Sequence, residues 1–254
     1  MLSETQISRA IIEEATKDLL NNLNTDVIIA GAGPSGLVAA TYLAREKHKV
    51  AIFERKLSTG GGIWGGGMVF PKIVIQREAK KILDDFKILS KKKGNLYVSS
   101  SLEVVAKLTA GAVDAGVKIF NGISIEDVLI RKDKVCGVVI NWSAVEIAKL
   151  HVDPLTFGAR FVIDSTGHAA ELCHIVERKV GKLDTPSGKI EGEKSMWADE
   201  AEKLTIENTR EVYPGLFVSG MSANAVFGGP RMGPIFGGMF LSGVKVANLI
   251  SKRL

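Results

Sequence analysis

Asp26-Val-Ile-Ile-Ala-Gly31-Ala-Gly33-Pro-Ser-Gly36 decides how the rest of the chain is read. Its first five residues form a short apolar run, β-branched and too brief for a helix, which predicts a buried parallel strand. The motif Gly31-x-Gly33-x-x-Gly36 lies directly between that strand and a helix expected over about residues 35–46. At such a junction the free N–H groups of a helix N-terminus can hold a pyrophosphate. A second strand, expected over 50–54, completes one βαβ unit and ends on Glu54, 18 residues after Gly36. A carboxylate there can accept hydrogen bonds from both adenosine ribose hydroxyls. Glu54 in place of an arginine argues against a ribose 2′-phosphate. Gly31, Gly33, Gly36 and Glu54 are therefore candidate dinucleotide-binding residues.

With 46% hydrophobic and 24% charged residues over 254 positions, the chain has the composition of a globular protein, and it is expected to fold as one domain over 1–254. The net charge of +5 suits a polyphosphate ligand, but basic residues cluster only at Lys91-Lys92-Lys93, expected to be a solvated loop, so nucleic acid is not an expected partner. Cys136 and Cys173 have no CxxC spacing, so neither a disulfide framework nor a cysteine zinc site is expected, and a reducing cytoplasm fits. The N-terminal residues carry charge throughout and lack an apolar signal core. Between Glu211 and Lys245 the only charge is Arg231, but Gly and Pro recur too often there for a membrane-spanning helix.

Outward from the βαβ unit, a leading amphipathic helix carries Ile7, Ala10, Ile11, Ala15 and Leu19 on one face, behind a Ser3/Gln6 capping-box spacing. Helices are expected over 75–86 and 100–115, the second with a Ser100/Glu103 box. Strands are expected over 117–121, 123–131, 134–142, 161–165 and 216–219, with a helix to about Val180, a loop over 182–194 and a terminal helix to Arg253. The gap after Glu54, the strand meander from Val117 to Trp142 and the late strand resemble the glutathione-reductase type of flavoprotein-like Rossmann fold. The expected class is thus α/β with an inserted β-meander. In that architecture the backbone of Ile125 would contact adenine; read without it, Ile125 is equally a strand-core residue.

Four further segments narrow the resemblance: Gly60-Gly-Gly-Ile-Trp-Gly-Gly-Gly-Met68, Leu150-His-Val-Asp-Pro154, Asp164-Ser-Thr-Gly-His168 and Gly228-Gly-Pro-Arg-Met-Gly-Pro-Ile-Phe-Gly-Gly-Met239. From about residue 10 onward the chain resembles the thiamine thiazole synthase family in its archaeal form, some members of which carry the label of a ribose 1,5-bisphosphate isomerase. The resemblance implies that NAD is a substrate, reacting with glycine and sulfide to give an adenylated thiazole carboxylate with loss of nicotinamide. It implies nucleotide contacts from Ser35, Glu54, Arg55, Gly62, His151, Val152, Asp153 and Met221. Asp153 and His168 resemble the family's Fe(II) ligands, in many members contributed by adjacent subunits of an octamer. Arg231 would receive the glycine carboxylate. Independently of any family, a guanidinium in so apolar a segment needs an anionic partner, either a ligand carboxylate or an Asp or Glu of the chain itself. Read alone, Asp153 before a proline is a turn former and His168 a loop histidine.

Two residues depart from relatives of this kind. Eukaryotic members hold a sulfur-donating cysteine where this chain has His151, and imidazole cannot supply sulfur. Ala169 stands where an Asp commonly follows the histidine, which removes one carboxylate able to orient a metal ligand. An FAD-dependent oxidoreductase on the same fold, and a non-catalytic nucleotide-binding protein, are the competing readings.

Overall fold

The computed structural model describes residues 2–254. Helix α1 (Glu4–Asn21) leads, and the expected βαβ unit follows as β1 (Asn24–Ala30), α2 (Pro34–Arg45) and β2 (Val50–Glu54). β1 and β2 are parallel, Val27 opposite Val50 and Ala30 opposite Phe53. β1 is apolar on both faces because both faces are covered. Val27 and Ile29 enter a core with α2 residues, whereas Ile28 and Ala30 enter a second core on the opposite face of the sheet.

After the glycine-rich loop come β3 (Lys72–Gln76), α3 (Lys80–Asp85), β4 (Lys91–Lys93), β5 (Leu96–Ser100) and α4 (Ser101–Asp114). β3, β5 and β4 make a small antiparallel sheet in that order. This corrects two expectations. The start of the expected helix over 75–86 is strand, since Ile73 and Ile75 alternate inward with period two. Lys91–Lys93 is an exposed edge strand rather than a loop, and lysines are a common way to keep such an edge from pairing further.

The chain continues with β6 (Lys118–Asn121), β7 (Ile123–Arg131), β8 (Lys134–Trp142), α5 (Ser143–Ile147), β9 (Leu155–Asp164), α6 (Glu171–Val180), α7 (Ala198–Glu207), β10 (Glu211–Tyr213), β11 (Leu216–Val218), α8 (Met221–Phe227) and α9 (Gly237–Ser251). The main sheet runs β10-β11-β9-β1-β2-β6. β6 is parallel to β2 and so belongs to the central sheet, not to the meander; the inserted antiparallel pair is β7–β8. β9 is longer than expected because it serves two neighbours along one edge: residues 155–158 pair with β8, and residues 162–164 with β11. α9 packs on α2 and α7. Among the described residues no helix is long and apolar enough to cross a membrane.

The N-terminal helix departs from expectation in burial. None of its residues is buried, and Ile7, Ile11 and Ile12 face solvent. The Ser3 and Ser100 side chains make no cap hydrogen bond; the Ser3 hydroxyl pairs with Thr5, and Glu103 accepts from Leu89 N–H and Lys107.

Candidate active site

β1, β2, β9 and β11 point their C-terminal ends at one cleft of about 650 Å³, a size within the roughly 300–1,000 Å³ usual for small-molecule sites. Gly31 turns the chain from β1 into the site at φ +95°, and a Cβ there would stand 2.6 Å from the Ser165 carbonyl oxygen. Only glycine fits that approach. Gly33 and Ser35 line the cleft at the start of α2, whereas Gly36 does not: a Cβ on it would strike the Gly31 carbonyl, so its role is to let helix and turn close together. Ser35 is buried and receives a 3.3 Å hydrogen bond from the Ser219 hydroxyl.

Glu54 ends β2 at 7% exposure. Its Oε2 accepts the Ala32 N–H at 2.8 Å and its Oε1 the Lys56 N–H at 2.9 Å, so the carboxylate is fixed against the glycine turn before any ligand arrives. Arg55 lies beside it, ion-paired to Glu171 in the first turn of α6. Burial pushes the Glu171 carboxyl up, the Arg55 charge pulls it back, and Asp164, Glu146 and Glu54 push it further up. Gly62, Ile125 and Met221 also line the cleft, and a Cβ on Gly62 would meet nothing within 4 Å.

The lining over 165–168 is held by Asp164, which is fully buried at the end of β9. Its Oδ1 accepts from the Thr166 N–H at 3.0 Å, the Thr166 hydroxyl at 2.7 Å and the Ser222 hydroxyl at 3.1 Å. Its Oδ2 accepts the Leu172 and Cys173 N–H groups, each at 3.0 Å, at the N-terminus of α6. One carboxylate thus fixes the turn that presents His168 to the cleft. The His168 Nδ1 lies 2.6 Å from the Glu193 Oε1, leaving Nε2 available. That glutamate supplies a carboxylate to the imidazole from the loop over 182–194, although Ala169 cannot. Neither Asp164 nor Glu193 was singled out by sequence, because both act across contacts 25 or more residues from one partner, such as Ser222 for Asp164 and His168 for Glu193.

Arg231 lines the cleft from the glycine-rich segment before α9 and forms no ion pair among the described residues. The intramolecular alternative for its partner is therefore not realised. Its backbone is clamped instead: the Arg231 N–H donates to the Lys194 carbonyl at 3.2 Å, and the Trp197 N–H donates to the Arg231 carbonyl at 2.9 Å.

His151, Val152 and Asp153 do not line this cleft in the same chain. They sit exposed between α5 and β9, with the Val152 carbonyl accepting from Asn141 Nδ2 at 3.0 Å. Among the described residues no three His, Cys, Asp or Glu side chains converge as a metal site. One chain alone thus offers a single oriented imidazole and does not complete an iron site. Cys173 is buried, and burial pushes its thiol well up, with the Asp164 charge adding to the effect. Cys136 is half-buried, its Sγ donating to the Leu129 carbonyl at 3.6 Å.

A sequence model described as the Thi4 family matches residues 8–236. The chain belongs to the Thi4 family. It is 58% identical over 255 residues to proteins named thiamine thiazole synthase from Desulfosudis oleivorans and from Methanothermobacter thermautotrophicus, covering 100% of this chain and 99% of each relative. Its backbone is similar to the crystal structure of Thermovibrio ammonificans THI4, with a TM-score of 0.96 at 46% identity over 99% of this chain and 98% of that one. The Thi4 family chain is thus matched along nearly its whole length, glycine turn, meander and arginine segment included.

Proposed function

We propose that this chain is a thiamine thiazole synthase that converts NAD, glycine and sulfide into an adenylated thiazole carboxylate, with release of nicotinamide. The observation that carries the reading is the meeting in one cleft of the phosphate-binding turn, a preset ribose acceptor and an arginine with no ion pair among the described residues, in a chain of this family. The N-terminus of α2 and the turn 31–36 hold the pyrophosphate through backbone N–H groups. Glu54, already oriented by Ala32 and Lys56, accepts the ribose hydroxyls of adenosine. Arg231 takes the glycine carboxylate, which its planar fork matches in two parallel hydrogen bonds.

The iron reading requires a second copy of the chain. His168, held by Glu193, and Asp153 from a neighbouring copy would hold Fe(II), and an imidazole with one carboxylate leaves positions open for substrate atoms. The exposed side chains of Leu150, Val152 and Leu155 around Asp153 supply apolar surface for such a contact, in a homo-oligomer for which the family resemblance suggests an octamer.

The test is chemical. The purified protein is denatured and its released small molecules are weighed by mass spectrometry, before and after anaerobic incubation with NAD, glycine, Fe(II) and sulfide. An adenylated thiazole appearing in step with loss of NAD is the expected result. Release of FAD from a yellow protein, or NAD bound and never consumed, would overturn it.

A further inference from the structure

Glu202 on α7 is a carboxyl that the proposed reaction does not use, yet it is 6% exposed and faces no charged partner. Its Oε2 accepts the Gly238 N–H at 2.7 Å, in the first turn of α9. Its Oε1 is buried and makes no well-formed hydrogen bond among the described residues, although the Gln76 amide at the end of β3 lies close enough to act on the carboxyl, and the Oε1 of Gln76 is likewise left without one. The two groups close on the same glycine pair. A Cβ on Gly237 would collide with the Gln76 amide, and one on Gly238 would lie 3.2 Å from Glu202 Oε1. A buried oxygen left without a hydrogen bond is costly, so two at one point call for a reason.

The reason lies in what meets there. The segment bearing Arg231 runs directly into Gly237 and is laced on one side to β3, where the Phe236 N–H donates to the Val74 carbonyl at 3.0 Å. On its other side it is laced to the residues just before α7, through Lys194 and Trp197. Glu202 touches α9 directly and lies beside the Gln76 amide of β3, so all three elements that frame the arginine segment join at this carboxyl.

We propose that Glu202 is a positioning residue for Arg231, acting through the start of α9 and the β3 seam that together hold the arginine segment. This rests on the assignment of Arg231 to the glycine carboxylate.

Burial pushes the Glu202 carboxyl up to about 7, against the Gly238 N–H and the Gln76 amide, which pull it down. Among the described residues no charge opposes or supports it. α8 carries none, and Lys245 of α9 donates to the Ile206 and Glu207 carbonyls at the far end of α7. Arg77 and Glu78, beyond β3, are exposed, as are Asp199 and Lys203 on α7 itself. A carboxyl raised in the folded state contributes stability that is fully present below its unfolded value and is lost as pH rises through about 7. Neutral Glu202 has a proton on one oxygen and an acceptor on the other, which is also what glutamine offers in an amide.

The experiment compares wild type, Glu202→Gln and Glu202→Ala for half-saturation by glycine and by NAD between about pH 6 and 8, together with hydrogen exchange of the peptide spanning 231–240, corrected for intrinsic rates. In wild type the glycine requirement rises across that interval and exchange accelerates; Glu202→Gln matches wild type at the low end and abolishes the excess rise. Glu202→Ala raises the glycine requirement about tenfold at every pH and the NAD requirement less than about twofold. Identical pH profiles for wild type and Glu202→Gln, or equal effects of Glu202→Ala on both substrates, would overturn the proposal. If the alanine variant does not fold, the glutamine comparison decides alone. If wild type makes no thiazole, the reaction assignment has failed, and the exchange data still decide whether Glu202 holds the segment.

Discussion

Glu54 shows how much of a ligand site one side chain can preset. Because both oxygens already accept backbone N–H groups, Glu54→Gln removes the anionic acceptor and also turns one donor pair face to face, N–H against NH₂. We expect NAD binding to weaken by about 1–3 kcal/mol, measured by calorimetric titration. Unchanged affinity would take Glu54 out of the site. Sulfur is decided at the same scale. Thiol chemistry needs a thiolate, and Cys173 is a buried thiol pushed away from ionisation while Cys136 lies in β8, outside the cleft lining. The double variant Cys136→Ala/Cys173→Ala should therefore still incorporate isotopically labelled sulfide into product over many cycles. Conversion of either cysteine to dehydroalanine in the wild type, seen as loss of one hydrogen sulfide from the protein mass, would make that cysteine the donor.

The elements of the site were legible in sequence to the degree that their signals were local. The turn 31–36 announces itself because strand, glycines, helix and acid fall within one βαβ unit, although the contact that requires Gly31 comes from Ser165 after β9. The β3–β5–β4 sheet did not announce itself: three lysines in an exposed edge strand have the composition of a loop, and only pairing with β5 makes them a strand. Glu193 is legible only after folding, since its partner His168 is 25 residues away, and Asp164 shows its role only once the turn into α6 closes on it and Ser222 is brought in from a distant stretch. The junction of β9 and α6 tests this longer-range layer. Asp164→Asn would set an NH₂ against hydroxyls and N–H groups that now all donate to a carboxylate. We expect a loss of about 3 kcal/mol or more in chemical denaturation, with His168 misplaced even where the variant folds. Full stability with full activity would show that the turn is held by something other than this acid.

For the whole molecule, the central question is where Asp153 acts. One chain leaves it exposed, away from the cleft that His168 lines, and surrounded by Leu150, Val152 and Leu155, which are also exposed. An acid to which the proposed reaction gives a metal, placed amid uncovered apolar side chains, is best accounted for by a second chain that covers those side chains and receives the acid. The consequence is a test by complementation. Asp153→Ala and His168→Ala should each abolish Fe(II)-dependent product formation and leave NAD binding within about twofold, since the proposed metal acts after the nucleotide has docked. Mixed and allowed to exchange subunits, the two inactive variants should regain part of the activity, because an interface pairing an intact His168 with an intact Asp153 forms only between unlike chains. Exchange is verified by native mass spectrometry of differently tagged copies. If hybrids form and remain inactive, the two residues act within one chain, and the loop over 151–154 would have to fold inward onto the cleft for the reaction to proceed.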